Sequence, residues 1–142
     1  MSTGVDTNVL IDLLAGAEDA ARRARLALDA AHAQGALVLC PVVYAELLAY
    51  PGRGRDEIDG LIVATRIRVD WILSPETWSL AGQAFAAYAA RRRASGADPP
   101  RRLLADFLIG AHALGMGNLL TRDLGMYRTN FPQLRLAPWP DG

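Results

Sequence analysis

Short apolar segments alternate with longer helix-forming segments along the whole chain. The apolar segments predict strands at residues 1–5, 36–40, 66–71, 118–121 and 134–137. Helices are predicted at residues 8–16, 18–34, 41–50, 56–65, 75–95 and 102–114, where Pro, Gly and capping residues mark the ends. Strands that alternate with helices favour a parallel sheet covered on both faces. We therefore predict an α/β fold with a central, mostly parallel sheet of four to five strands.

The size and composition of the chain favour one domain without disulfides. The chain has 142 residues and no evident linker or repeat, so residues 1–142 are predicted to form a single domain. Cys40 is the only cysteine and is predicted to pack in the core. No apolar run reaches the roughly 18 residues of a membrane helix, and the N-terminus does not resemble a signal peptide. These features predict a cytoplasmic protein with no membrane partner.

Four carboxylates stand alone inside or beside apolar runs, at Asp6, Glu46, Asp106 and Asp123. An unpaired carboxylate removed from water is costly or becomes neutral. Asp6 and Asp123 follow predicted strands, and ligands of an open parallel sheet bind beyond the carboxyl ends of its strands. Oxygen ligands without His or Cys suit Mg²⁺ or Mn²⁺. If the strands before Asp6 and Asp123 are neighbours, all four acids can converge on a metal ion that supports phosphodiester hydrolysis.

Each acid also has a simpler structural explanation. Asp6 can cap the helix that follows it, and Glu46 can be an exposed helix residue. Asp106 can be a favourable charge near a helix N-terminus, and Asp123 can be a turn or capping residue. A phosphatase with Asp6 as covalent nucleophile is a further alternative, although Asn8 stands where a second acid would be expected.

Four sequence motifs resemble those of PIN-domain nucleases, especially the VapC toxins of bacterial toxin–antitoxin pairs. They appear in the family's order, and the resemblance covers essentially the whole chain. The motifs are Val5-Asp-Thr-Asn-Val-Leu-Ile11, Tyr44-Ala-Glu-Leu47, Ala105-Asp-Phe-Leu-Ile-Gly-Ala-His-Ala113 and Leu120-Thr-Arg-Asp123.

The resemblance implies a PIN-like three-layer sandwich and a Mg²⁺- or Mn²⁺-dependent endoribonuclease. Residue by residue, it assigns the catalytic and metal-binding positions to Asp6, Glu46, Asp106 and Asp123. Asn8 and Thr121 match polar positions that support the metal site. The resemblance also implies an RNA substrate, a homodimer and a cognate antitoxin. A PIN-like module that binds RNA or protein without cutting remains the alternative.

Basic residues concentrate towards the C-terminus, although the formal net charge is zero. Residues 91–142 carry eight Arg against four acidic residues, whereas residues 1–90 carry seven against 11. Such a region can guide RNA phosphates or simply form a solvated surface. The candidate RNA contacts are Arg91, Arg92, Arg93, Arg101, Arg102, Arg122 and Arg128.

Several other polar and aromatic residues are expected to have structural roles. Asp12 comes six residues after Asp6 on the first helix, so its side chain is predicted to point away from the site into solvent. His112 is predicted to be a packing or surface residue. Trp71, Trp78, Tyr88 and Trp139 are expected to pack in the core or a dimer interface, with base stacking as the alternative.

Overall fold

The computed structural model describes residues 1–96 and 102–140, in which five strands and seven helices occur. The strands are β1 (Thr3–Val5), β2 (Leu37–Leu39), β3 (Ile67–Val69), β4 (Asn118–Leu120) and β5 (Arg135–Leu136). The helices are α1 (Thr7–Ala15), α2 (Glu18–Gln34), α3 (Pro41–Leu48), α4 (Arg55–Ala64), α5 (Pro75–Ala94), α6 (Leu104–Met116) and α7 (Leu124–Asn130). Arg101, one of the candidate RNA contacts, lies outside the described residues.

The five strands form one parallel sheet in the order β3-β2-β1-β4-β5. Every residue of β1, β2 and β4 is buried, which requires cover on both faces of the sheet. β3 is an edge strand, with Ile67 buried and Arg68 exposed. The predicted α/β fold, with helices on both sides of a parallel sheet, is therefore confirmed. The strands are shorter than the apolar segments that predicted them.

β1 and β4 are neighbours, which is the adjacency that the sequence leaves open. Gly4 pairs with Leu119 and Val5 with Leu120 in a parallel register. The Asp6 backbone N–H extends this pairing, since it donates to the Leu120 carbonyl at 2.9 Å. Asp6 and Thr121 consequently leave the sheet side by side at its carboxyl edge.

An aromatic cluster fixes α6, the helix that carries Asp106, against α5 and α7. The Phe107 ring centroid lies 5.1 Å from that of Phe85, 5.5 Å from that of Tyr88 and 6.1 Å from that of Phe131. Gly110 permits this packing, because a Cβ at that position would overlap the Phe131 ring. The N-terminal turn of α6 is thereby held near the carboxyl edge of the sheet.

The structure departs from the sequence-based predictions at α7 and at two tryptophans. α7 was not predicted, because its Leu-Gly-Met start lacks helix-forming periodicity beyond the capping residue Asp123. The prediction of core packing is wrong for Trp71 and Trp78, which are 61% and 52% exposed. Tyr88 and Trp139 do pack against the core. Cys40 is buried as predicted. A search of the described helices finds none long and apolar enough to cross a membrane.

Candidate carboxylate site

Asp6 lies at the centre of a set of neutral hydrogen-bond donors at the end of β1. Its Oδ1 accepts from the Thr7 N–H at 2.8 Å. Its Oδ2 accepts from Thr121 Oγ1 at 2.7 Å and from Asn8 Nδ2 at 3.1 Å. Asn8 and Thr121, the two polar residues expected to support the site, therefore both contact the Asp6 carboxylate.

Burial makes the charge of Asp6 unfavourable. The residue is only 5% exposed, and loss of hydration raises the pKa of its carboxyl from 3.8 to about 6. The hydrogen bonds from Thr121 and Thr7 oppose this rise, while the negative charge of Asp106 adds to it. Hydrogen bonds from neutral groups thus leave much of the cost of ionisation in place.

Glu46 is joined to Asp6 through Thr7, which the sequence suggested only as a cap of the first helix; that cap is Asp6. Glu46 lies on α3, the helix that follows β2, and is partly exposed. The Thr7 hydroxyl donates to Glu46 Oε1 at 2.6 Å, while the Thr7 backbone N–H donates to Asp6. One residue thus orients two of the four acids from its backbone and its side chain.

Asp106 sits in the first turn of α6 and is partly buried. Its Oδ2 accepts from the Leu103 N–H at 3.3 Å, so it also caps the helix. Loss of hydration raises the pKa of its carboxyl, and the charge of Asp123 adds to this rise. The Leu103 N–H and the charge of Arg102 act in the opposite direction.

Asp123 has two partners of its own. Its Oδ1 accepts from the Met126 N–H at 3.4 Å and caps α7, as the structural alternative proposed. Its Oδ2 lies 2.5 Å from Arg102 Nη1 in an ion pair. The Asp123 N–H also donates to Thr121 Oγ1 at 3.0 Å, which links this acid to Asp6.

The expectation that all four acids are buried is wrong. Only Asp6 among them is buried, and the other three are partly exposed. The acids nevertheless share one electrostatic neighbourhood. Burial raises the pKa of the Tyr127 hydroxyl well above the usual range. The negative charges of Asp6, Asp106 and Asp123 add to this rise. That hydroxyl lies near Asp6 without a hydrogen bond of acceptable geometry.

The candidate RNA-contacting arginines are only partly free to meet a substrate. Arg91, Arg92 and Arg102 line a groove of about 540 Å³ beside α7. Within it, Arg91 Nη2 donates to Asn130 Oδ1 at 2.5 Å, and Arg102 is held by Asp123. Arg93 and Arg128 are exposed.

Arg122 forms an ion pair at 2.6 Å with Asp12, which is buried. The prediction that Asp12 points into solvent is therefore wrong. His112 is buried as a packing residue, and its Nε2 lies 2.9 Å from Asp70 Oδ2.

The acidic set suits a hard divalent ion in its chemistry and charge. All its donors are carboxylate, hydroxyl or amide oxygens, and burial, with a smaller addition from the charge of Asp106, raises the pKa of Asp6 and so leaves its charge poorly balanced. Across residues 1–96 and 102–140, however, no three His, Cys, Asp or Glu side chains already stand as a metal-binding cluster.

Comparison with known proteins identifies one family and several similar folds. The family model described as PIN domain matches residues 5–132. None of the curated proteins matches the chain.

Two solved structures are similar over nearly the whole chain at 20% identity and a TM-score of 0.66. One is VapBC-1 from nontypeable Haemophilus influenzae, with 98% of each chain covered. The other is a toxin–antitoxin complex from Klebsiella pneumoniae, with 96% of each covered. VapBC2 from Rickettsia felis, bound to a DNA fragment from its promoter, matches at 17% identity and a TM-score of 0.60, with 99% of this chain and all of that one covered. At these identities the likeness is one of fold.

Proposed function

This chain belongs to the PIN-domain family, and from that premise we propose that it is a divalent-metal-dependent endoribonuclease. It hydrolyses RNA phosphodiester bonds as the toxin of a toxin–antitoxin pair. The observation that carries the proposal is Asp6, a carboxylate whose donors are neutral and whose pKa is raised by burial and, to a smaller extent, by the charge of Asp106. A divalent cation is the partner that best offsets such a charge.

In this proposal Asp6, Glu46, Asp106 and Asp123 hold Mg²⁺ or Mn²⁺. When bound, the ion supplies an activated water and offsets charge on the scissile phosphate. Thr121 and Asn8 fix the orientation of Asp6 by donating to its Oδ2, and Thr7 fixes Glu46. His112 is not assigned as a base in this proposal, because its Nε2 already contacts Asp70 Oδ2.

The arginines provide the phosphate contacts in this proposal. The groove beside α7 opens next to Asp123 and carries Arg91, Arg92 and Arg102. The exposed Arg93 and Arg128 and the half-exposed Arg122 belong to the proposed set. Arg101, which lies outside the described residues, completes it. Contacts with several phosphates make RNA binding weaken steeply as salt rises.

The proposed partners and setting follow from the family and its neighbours. The similar solved structures are described as toxin–antitoxin or VapBC complexes. We therefore propose a cognate antitoxin, a homodimer and a single catalytic domain that acts in the cytoplasm.

The test is cleavage of a structured RNA by purified protein with Mg²⁺ or Mn²⁺. Asp6→Asn and excess EDTA are each expected to lower the cleavage rate by at least about 1000-fold, because the first removes a metal ligand and the second removes the ion. Glu57→Gln is the matched control, since Glu57 forms an exposed ion pair with Arg53 on α4, away from the four acids. Full activity of Asp6→Asn or in EDTA contradicts the proposal.

A second candidate is a PIN-like module that binds RNA or protein without cutting it. The ion pair between Asp123 and Arg102 favours it, because one of the four acids is already neutralised. Salt-sensitive RNA binding by the wild type, with no metal-dependent cleavage of any RNA tested, supports this second function over the first.

A further inference from the structure

A fifth carboxylate, Asp12 on α1, is buried near the acidic site. Asp12 is 8% exposed, and its Oδ2 lies 2.6 Å from Arg122 Nε. A carboxylate at this depth requires a charged or hydrogen-bonding partner. Arg122 supplies that partner from the connection between β4 and α7.

The backbone of Arg122 connects this ion pair to the acidic site. Its N–H donates to Asn8 Oδ1 at 3.1 Å, so the amide of Asn8 turns its NH₂ group towards Asp6. The residues on either side of Arg122 are tied to the same site. Thr121 donates to Asp6 Oδ2, and the Asp123 N–H donates to Thr121.

We infer that Asp12 and Arg122 form a clamp that positions Asn8, Thr121 and Asp6. Asp12 is a positioning residue in this inference and touches neither metal nor RNA. The clamp joins α1 to the connection after β4, the two segments whose side chains meet around Asp6. The inference rests on the proposed function for the identity of the bound ion, but the clamp itself is a property of the metal-free chain.

Asp12 separates this role from a direct role of Arg122 in RNA binding. The Arg122 side chain is 47% exposed, so a substitution of Arg122 alters both the clamp and a phosphate contact. Asp12→Asn preserves the size of the side chain and leaves the arginine in place. It breaks the charge pairing alone.

The experiment measures Mn²⁺ affinity by calorimetry in the full chain, without RNA. Asp12→Asn and Arg122→Gln are each expected to weaken Mn²⁺ binding by about tenfold, the lower end of the range for residues that orient metal ligands. The double variant is expected to match the single ones, because they break one interaction. Arg122→Lys keeps a cation beside Asp12 and should retain more affinity than Arg122→Gln. Glu57→Gln, which breaks the exposed pair with Arg53, should leave affinity unchanged.

Two further readouts distinguish positioning from loss of folding or of RNA contact. Asp12→Asn should lower kcat while the KM for RNA stays within about twofold, since the arginine remains. In the metal-free protein, the NMR signals of the Asn8 side-chain amide should shift in Asp12→Asn. If Arg122→Gln, which leaves the buried Asp12 carboxylate unpaired, fails to fold, Asp12→Asn and the double variant decide the question, because neither leaves a buried unpaired charge.

The outcomes separate the clamp from the proposed function. If wild type binds Mn²⁺ and Asp6→Asn does not, but the folded Asp12 variants bind like wild type, the clamp is overturned and the proposed function stands. Unchanged Asn8 amide signals also overturn the clamp. If wild type binds no Mn²⁺, the proposed function fails, and the Asn8 signals alone test the clamp.

Discussion

Asp6 and Asp123 lie just beyond neighbouring strands of one sheet, yet their charges are balanced in different ways. Asp6 is buried, and its hydrogen bonds come from Thr7, Asn8 and Thr121, which are neutral. Asp123 is about one-third exposed in its side chain and is paired with Arg102. Two acids that are adjacent in the fold can therefore differ in how far a bound cation would stabilise their charge. Asp6 lacks a countercharge, whereas Asp123 already has one.

The largest expected effect is the loss of metal-dependent RNA cleavage when each of the two acids is replaced by asparagine. Asp6→Asn is expected to lower kcat/KM by at least about 1000-fold, since it removes several kcal/mol of metal-based stabilisation. Asp123→Asn should lower it by about 10- to 100-fold, because that acid already has a cationic partner. Single-turnover cleavage at saturating Mn²⁺ measures both. Equal losses in the two variants would break the comparison.

The raised pKa of Asp6 predicts how metal-free stability depends on pH. The carboxyl is easier to protonate in the folded state, at a pKa of about 6, than at its ordinary value of 3.8. The folded state is therefore favoured at low pH, and this advantage is lost as pH rises through about 6. The difference between the two pKa values corresponds to about 3 kcal/mol at most.

Asp6→Asn removes this titration, so its unfolding free energy relative to wild type should rise by up to about 3 kcal/mol between pH 4 and pH 8. Urea unfolding in EDTA measures this change. Any loss of hydrogen bonds in the variant adds an offset independent of pH. Parallel pH profiles for the two proteins would show that Asp6 carries no such cost, and saturating Mn²⁺ should abolish the cost in wild type.

The sequence predicts most of the helices and the polar neighbours of Asp6, but it does not predict the ion pairs between distant side chains. Periodicity and Gly or Pro boundaries identified six of the helices, and the resemblance to the family motifs pointed to Asn8 and Thr121, which both contact Asp6. The pairing of Asp12 with Arg122 was missed, because helix geometry alone turns Asp12 away from Asp6. That pair depends on β4 lying beside β1, which only the tertiary structure supplies.

Burial of the acids was overestimated for a related reason. Apolar neighbours in sequence predict an apolar surrounding, but the acid of a helical turn can face outward while its neighbours face the core. Asp106 and Phe107 are adjacent, yet Phe107 is fully buried and Asp106 is partly exposed. The capping role of Asp123 was available from sequence as an alternative, whereas its pairing with Arg102 was not.

Removing the countercharge of Asp123 should make the two acids more alike. Arg102→Gln is expected to change the unfolding free energy by less than about 1 kcal/mol, because both side chains are more than one-third exposed. Mn²⁺ affinity should rise by about two- to fivefold, since a nearby positive charge is lost. The KM for RNA should also rise, and its salt dependence should weaken by about one phosphate contact. Mn²⁺ affinity that stays unchanged or falls would mean that Arg102 does not compete with the ion for Asp123.

The smallest effect should come from the Tyr127 hydroxyl, which faces Asp6 from the buried side of the site. It has no hydrogen-bond partner of acceptable geometry, so Tyr127→Phe should leave the unfolding free energy within about 1 kcal/mol of wild type, neutral or slightly higher. Tyr44→Phe is the control, because the Tyr44 hydroxyl donates to Asp59 at 2.7 Å and loss of this hydrogen bond should lower the unfolding free energy. Urea unfolding of both variants in EDTA tests the difference. A loss in Tyr127→Phe larger than that in Tyr44→Phe would mean that the Tyr127 hydroxyl does bond Asp6 in solution, and that Asp6 has one more neutral donor than its described contacts contain.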